Sequence, residues 1–165
     1  MPHVDVTTWY LEQTDPSDLR PARPPRDDVD VVRAEIPSAD FHRFLYSAVG
    51  GGWQWTDRRD WTDEQWLTWL DLGVETWVAY LRGTPAGYIA LEPQGSSVEV
   101  AYFGLLPFAI GRGIGGHLLH AGVARAWQLA SERVWVHTCS LDSPAARGNY
   151  EARGFRLYKT EVSKV

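Results

Sequence analysis

Four glycines in six residues, Gly111, Gly113, Gly115 and Gly116, stand behind a β-type run and open an amphipathic one. The segment reads VEVAYFGLLPFAIGRGIGGHLL, from Val98 to Leu119. Glycine lets a backbone pass close to a ligand with no Cβ in the way. The first turn of a helix adds amides without intrahelical partners at the positive end of its dipole. A strand feeding a helix through such a loop is a seat for a pyrophosphate, and Arg112 can add a charge. As a turn without a ligand, the same glycines would only weaken the helix start.

Two nucleotide motifs compete for this segment. A Walker loop requires Lys-Ser or Lys-Thr after its last glycine, whereas the chain continues Gly115-Gly116-His117. The dinucleotide spacing Gly-x-Gly-x-x-Gly is met by Gly111, Gly113 and Gly116. That fold begins at its glycine turn, however, and this one lies past the middle of 165 residues.

The rest of the chain supplies the frame. Strands are expected over Val4–Glu12 and Val29–Ile36, separated by DPSDLRPARPPRDD, whose four prolines mark an irregular loop. Ser38 is placed to cap a helix reaching about Val49, and Thr62 with Gln65 forms a capping box for a second. Thr76–Leu81 and Gly87–Leu91 read as a hairpin, Val98–Leu106 as a long strand and Gly113–Ala130 as a helix. Arg133–Thr138, Ser143–Ala152 and Phe155–Thr160 then alternate strand, helix, strand. The expected class is α/β (α+β) in one domain over 1–165: a mixed, mostly antiparallel twisted sheet flanked by helices.

Composition narrows the partners. Net charge is -5, with 16 basic against 21 acidic residues, which argues against broad nucleic-acid binding. No stretch reaches the ~18 apolar residues of a membrane span, and no secretory leader is expected from MPHVDVTTWYLEQ, which lacks a basic region followed by an apolar block. The one cysteine, Cys139, is expected to be a small buried residue, and a cytoplasmic setting follows from these features. His117 and His120 share a helix face but lack a third ligand, so no metal is expected. Nine tryptophans are many for this length; Trp53, Trp55, Trp61, Trp66 and Trp69 form one cluster. Trp66 and Trp69 are expected in the core, and Trp53 and Trp55, in a glycine-flanked loop, are candidates for ligand contact.

LLPFAIGRGIGGHLL resembles the acetyl-CoA-binding motif of the GNAT N-acetyltransferase superfamily, Q/R-x-x-G-x-G/A. Gly113 and Gly115 take the glycine places, while Ile110 stands where the family has Gln or Arg. LDSPAARGNYEARGFRLYKTE is similar to the family's last helix and strand, with Tyr150 ahead of Gly154-Phe155. The resemblance implies that Gly111, Arg112, Gly113, Ile114, Gly115 and Gly116 hold the diphosphate of acetyl-CoA. It places the pantetheine arm along Phe103, Gly104 and Leu105, with Asn149 as a further contact. A bulge at Gly104 would splay that strand and open the cleft.

By the same resemblance Tyr150 protonates the departing thiolate and Glu99 deprotonates the amine, with His137 as the fallback base. The implied activity is direct transfer of an acetyl group to a primary amine of a small molecule. Transfer to a protein N-terminus or lysine, or a coenzyme-binding module without catalysis, are the alternatives. The implied partner is the amine acceptor, without nucleic acid or membrane, and with room for a homodimer.

Overall fold

The computed structural model describes residues 5–53 and 55–164. Its helix starts follow the capping chemistry in the sequence. Ser38 Oγ accepts the Phe41 amide at 3.1 Å and opens α1, Ala39–Gly50. Thr62 and Gln65 satisfy each other's backbone reciprocally and open α2, Asp63–Leu70. Two further helices, α3 (Ile114–Leu129) and α4 (Ala146–Ala152), follow the glycine loop.

Seven strands make one sheet: β1 (Asp5–Gln13), β2 (Val29–Arg33), β3 (Glu75–Leu81), β4 (Thr84–Gln94), β5 (Ser97–Leu105), β6 (Arg133–Cys139) and β7 (Arg156–Lys164). Their order is β2-β3-β4-β5-β6-β1-β7. The only parallel neighbours among them are β5 and β6, so the sheet is mixed and mostly antiparallel as expected. Val4, the expected first residue of the leading strand, lies outside the described residues. The final strand runs to Lys164, beyond the expected Thr160, because β1 supplies it with a full-length partner.

Alternation along the strands divides the apolar residues between two faces. Ala79, Ile89, Leu91, Val98 and Val100 pack under α3, whose Ile114, Leu118, Leu119, Val123 and Ala126 are buried against them. Val78, Tyr88 and Ala90 face the other way, toward Leu45, Tyr46 and Val49 of α1 and Trp66 and Trp69 of α2. Trp66 and Trp69 are core residues, at 1% and 5% exposure. A bidentate pair ties α3 to β3, with Arg125 Nε and Nη2 at 2.8 and 2.9 Å from the Glu75 carboxylate. Arg125 and the desolvating surroundings act in opposite directions on Glu75, and Arg125 prevails, holding that carboxyl below its usual range.

The placement of β1 is not legible in the sequence. It fills the space between β6 and β7, pairing Tyr10 with His137 on one side and with Lys159 on the other. Residues 14–28 then carry the chain across the start of α3 to β2 at the far edge.

Candidate active site

β5 and β6 pair through Ser97↔Arg133, Val98↔Val134 and Glu99↔Trp135, and no further. Beyond Glu99, β5 stays on β4 as far as Leu105↔Gly87, while β6 stays on β1 as far as Cys139↔Thr8. The two strands diverge, and their divergence opens a V with Glu99 at its vertex. The irregularity that bends β5 lies at Ala101, where Ala90 pairs with Tyr102 but Leu91 with Val100. Gly104, expected as the bulge, is regularly paired with Tyr88. Its missing side chain has a different use: a Cβ there would overlap Val49 Cγ1 and lie 3.8 Å from the Trp55 ring. Gly104 lets α1 and the tryptophan loop close on the strand.

Two clefts occupy the V. One, of about 430 Å³, runs from Phe103, Gly104 and Leu105 to Gly111, Gly113, Gly115 and Asn149. The other, of about 320 Å³, is walled by Tyr46, Asp57, Tyr102, His137 and Tyr150. Trp53, Trp55, Phe103 and Asp142 border both.

The glycine side offers backbone. Gly111 and Gly113 have φ of +85° and +78°, the left-handed region, and Gly113 is the N-cap residue of α3. No side chain caps α3, so its first amides are left to a ligand. Ile114 is fully buried and can contribute only its amide. Gly116 faces away from the cleft, toward Ala22. The Arg112 guanidinium turns toward residues 14–28, lying 3.5 Å from Asp27 and donating to the Phe108 carbonyl.

The other side offers side chains. Glu99 and His137 meet, with His137 Nδ1 3.3 Å from Glu99 Oε2. Glu99 is the inner member, its side chain 13% exposed against 48% for His137, and Gln94 Nε2 donates to its other oxygen at 2.9 Å. His137 lines the second cleft and Glu99 does not. The hydrogen bond to Glu99 raises the His137 pKa above the ordinary imidazole value; desolvation opposes it, and Asp57 and Asp142 add to the rise. Tyr150 is buried against Phe103 and Phe155, and that burial, with the charge of Asp142, pushes its phenol far above the usual range.

Asp142, Asp57 and Arg58 are participants that the sequence alone does not disclose. Asp142 accepts from Trp55 Nε1 at 3.4 Å, from the Ser143 amide at 2.8 Å and from Thr138 Oγ1 at 3.0 Å, joining the tryptophan loop to the end of β6. Arg58 lies 4.2 Å over Trp61, 4.0 Å over Trp69 and 4.8 Å over Tyr102. That aromatic box is filled by the chain's own cation, which leaves Trp53 and Trp55 as the tryptophans facing the clefts. Cys139, expected to be buried, is half-buried and also lines the second cleft. Among the described residues no group of three potential metal ligands gathers, and no helix is long and apolar enough to cross a membrane.

A parallel strand pair that splays beside a glycine loop at a helix start is the arrangement of an acetyltransferase fold. The sequence model of the acetyltransferase (GNAT) family matches residues 35–155, and the chain belongs to that family. A GCN5-related N-acetyltransferase from Kribbella flavida is similar in structure, at 19% identity and a TM-score of 0.68 over 96% of this chain and 57% of its own. A GCN5-related N-acetyltransferase from Sphaerobacter thermophilus gives 18% and 0.70 over 98% of this chain and 52% of its own. A GNAT family acetyltransferase from Streptococcus pneumoniae gives 24% and 0.59 over 78% of this chain and 88% of its own. The chain thus spans little more than half the length of the first two. No curated protein matches the sequence significantly.

Proposed function

We propose that this protein transfers the acetyl group of acetyl-CoA directly to a primary amine of a small molecule. Family membership implies acetyl transfer. The observation that carries the finer reading is the Glu99–His137 contact on the second cleft, across the V from the glycine loop.

The glycine loop and the first turn of α3 hold the diphosphate, and the free edge of β5 beyond Glu99 receives the amide-rich pantetheine arm. The thioester then lies near Phe103 and Trp55, where the clefts join. Asp57 and Asp142 on an aromatic-walled cleft suit an ammonium, and the walls suit a compact acceptor. His137 Nε2, left free by the Nδ1 contact with Glu99, takes one proton from the bound ammonium. The neutral amine nitrogen then attacks the thioester carbonyl, and its remaining excess proton passes to the departing sulfur as the intermediate collapses. Glu99 is a positioning residue: it fixes the imidazole tautomer and stabilises the imidazolium that forms. Collapse of the tetrahedral intermediate breaks the carbon–sulfur bond. Tyr150, whose environment keeps its phenol protonated, donates a hydrogen bond to the departing thiolate.

The test is release of free coenzyme A thiol from acetyl-CoA across a panel of amines, peptide N-termini and lysine peptides. Turnover with small cationic amines supports the reading. Turnover confined to peptides moves the acceptor to protein, and coenzyme binding without turnover on any acceptor removes the catalytic reading.

A further inference from the structure

Residues 14–28, which join β1 to β2, stay outside the sheet yet lie along the glycine loop. The Arg20 amide donates to the Arg153 carbonyl at 3.0 Å. At Gly154, with φ of +99°, a Cβ would overlap the Asp18 carbonyl oxygen, so the segment docks directly on backbone there. It then follows the first turn of α3. Ala22 Cβ lies 3.2 Å from where a Cβ on Gly116 would stand, and Pro25 Cα 3.8 Å from that of Gly113. Asp27 reaches Arg112 at 3.5 Å.

The heart of this strap, RPARPPR, repeats with a period of three. Its prolines favour the extended polyproline conformation, which has three residues per turn. Burial keeps the same period. Leu19, Ala22 and Pro25 are half-buried, while Arg20, Arg23 and Arg26 are exposed. Three guanidiniums therefore ride one edge of the strap, at intervals of about 9 Å along it.

None of the three finds a carboxylate or a side-chain hydrogen bond among the described residues, whereas Arg125 and Arg133 do find carboxylates. Beneath the strap, Arg153 keeps Nε and Nη1 buried without an acceptor, with Nη1 3.6 Å from the Gly116 Cβ position. The uncapped start of α3 adds its own positive end. The strap also carries Asp15, Asp18, Asp27 and Asp28, but Asp18 is engaged by Arg156 and Asp27 by Arg112 rather than by the strap's own arginines.

We propose that the arginine edge of Arg20, Arg23 and Arg26 binds the ribose 3′-phosphate of coenzyme A through one or two adjacent guanidiniums, so that the protein selects the phosphorylated cofactor over its 3′-dephospho form. The inference rests on the acetyl-CoA reading above. With the diphosphate on the glycine loop and the pantetheine arm in the V, the nucleotide end emerges at the start of α3, where the strap passes. A ribose phosphate there is a dianion, and the planar guanidinium fork pairs with phosphate bidentately.

Calorimetric titration of coenzyme A and of 3′-dephospho-coenzyme A tests this, on the wild type and on the R20A/R23A/R26A and R20K/R23K/R26K variants. The wild type should prefer coenzyme A by about 10-fold or more, the scale of one charge-assisted hydrogen bond. The alanine variant should lose that preference while its affinity for the dephospho form stays within about 3-fold, and the lysine variant should keep part of it. Equal binding of both ligands by the wild type overturns the proposal. So does an alanine variant that weakens both ligands alike, since the strap would then only brace the loop. If that variant keeps its cofactor preference and loses a single-stranded oligonucleotide instead, the stripe reads nucleic acid and the proposal falls. Failure of the wild type to bind either ligand would sink the acetyl-CoA reading itself.

Discussion

The two clefts that share Trp55 and Phe103 are built from different materials. The glycine side takes its polar groups from backbone, with two left-handed glycines, an uncapped helix start and the free edge of β5, between apolar walls from Val49, Trp53 and Trp55. The second cleft consists of side chains brought from α1, the tryptophan loop, β5, β6 and α4. A backbone site must be written into a few consecutive residues, because only their φ angles and missing Cβ atoms create it. A side-chain site can be assembled from anywhere, so its pattern exists only after folding.

The largest predicted effect lies on the side-chain side. His137→Asn should lower kcat/KM by about 100-fold or more, the usual scale of general-base catalysis, with coenzyme affinity unchanged. Glu99→Gln gives a sharper reading. A base must be neutral to act, so the wild-type rate should climb as pH rises through the elevated His137 pKa. Without the Glu99 carboxylate that pKa falls, and the acidic limb of the pH–rate profile should move to lower pH. A limb that stays in place would separate the two residues and return the base to water.

Next comes the backbone side. Gly113→Val puts a β-branched residue in the left-handed region, so the free loop should relax out of it and regain about 2 kcal/mol of strain on binding, weakening coenzyme A by about 30-fold. An unchanged dissociation constant in a folded variant would break the contrast drawn here. Tyr150→Phe, on the wall of the second cleft against Phe103, should lower kcat by about 10-fold, the worth of one hydrogen bond to a developing charge. Asp57→Asn, at an exposed carboxylate on the acceptor wall, should raise the acceptor KM by only about 3-fold and leave that for acetyl-CoA alone.

The same contrast explains what could be read from the letters. The glycine loop, the N-cap at Ser38, the capping box at Thr62 and the β3–β4 hairpin are local, and each carries its signal within a few residues. Glu99 and His137 are individually visible, but as alternative bases. Only the parallel pairing of β5 with β6, stopping at Glu99↔Trp135, puts them in contact. Gly104 drew the bulge because glycine often marks one; the structure uses it for close approach to Val49 and puts the bulge at Ala101, a residue with no such mark. The proline-rich strap reads as a plain loop until Ala22 and Pro25 are seen on Gly116 and Gly113.

The position of β1 has a consequence for how this molecule is made. It is the first of the seven strands to leave the ribosome, yet both its neighbours belong to the last third of the chain. Thr7 donates its amide to Ser140, 133 residues downstream. Contacts that close so large a loop form late and slow the search. During synthesis the strand waits as an exposed ribbon, tethered through the strap, while β2 to β5 and α3 can already assemble. The glycine loop can therefore form before the sheet is closed, and docking of the strap on α3 would bring β1 near its slot.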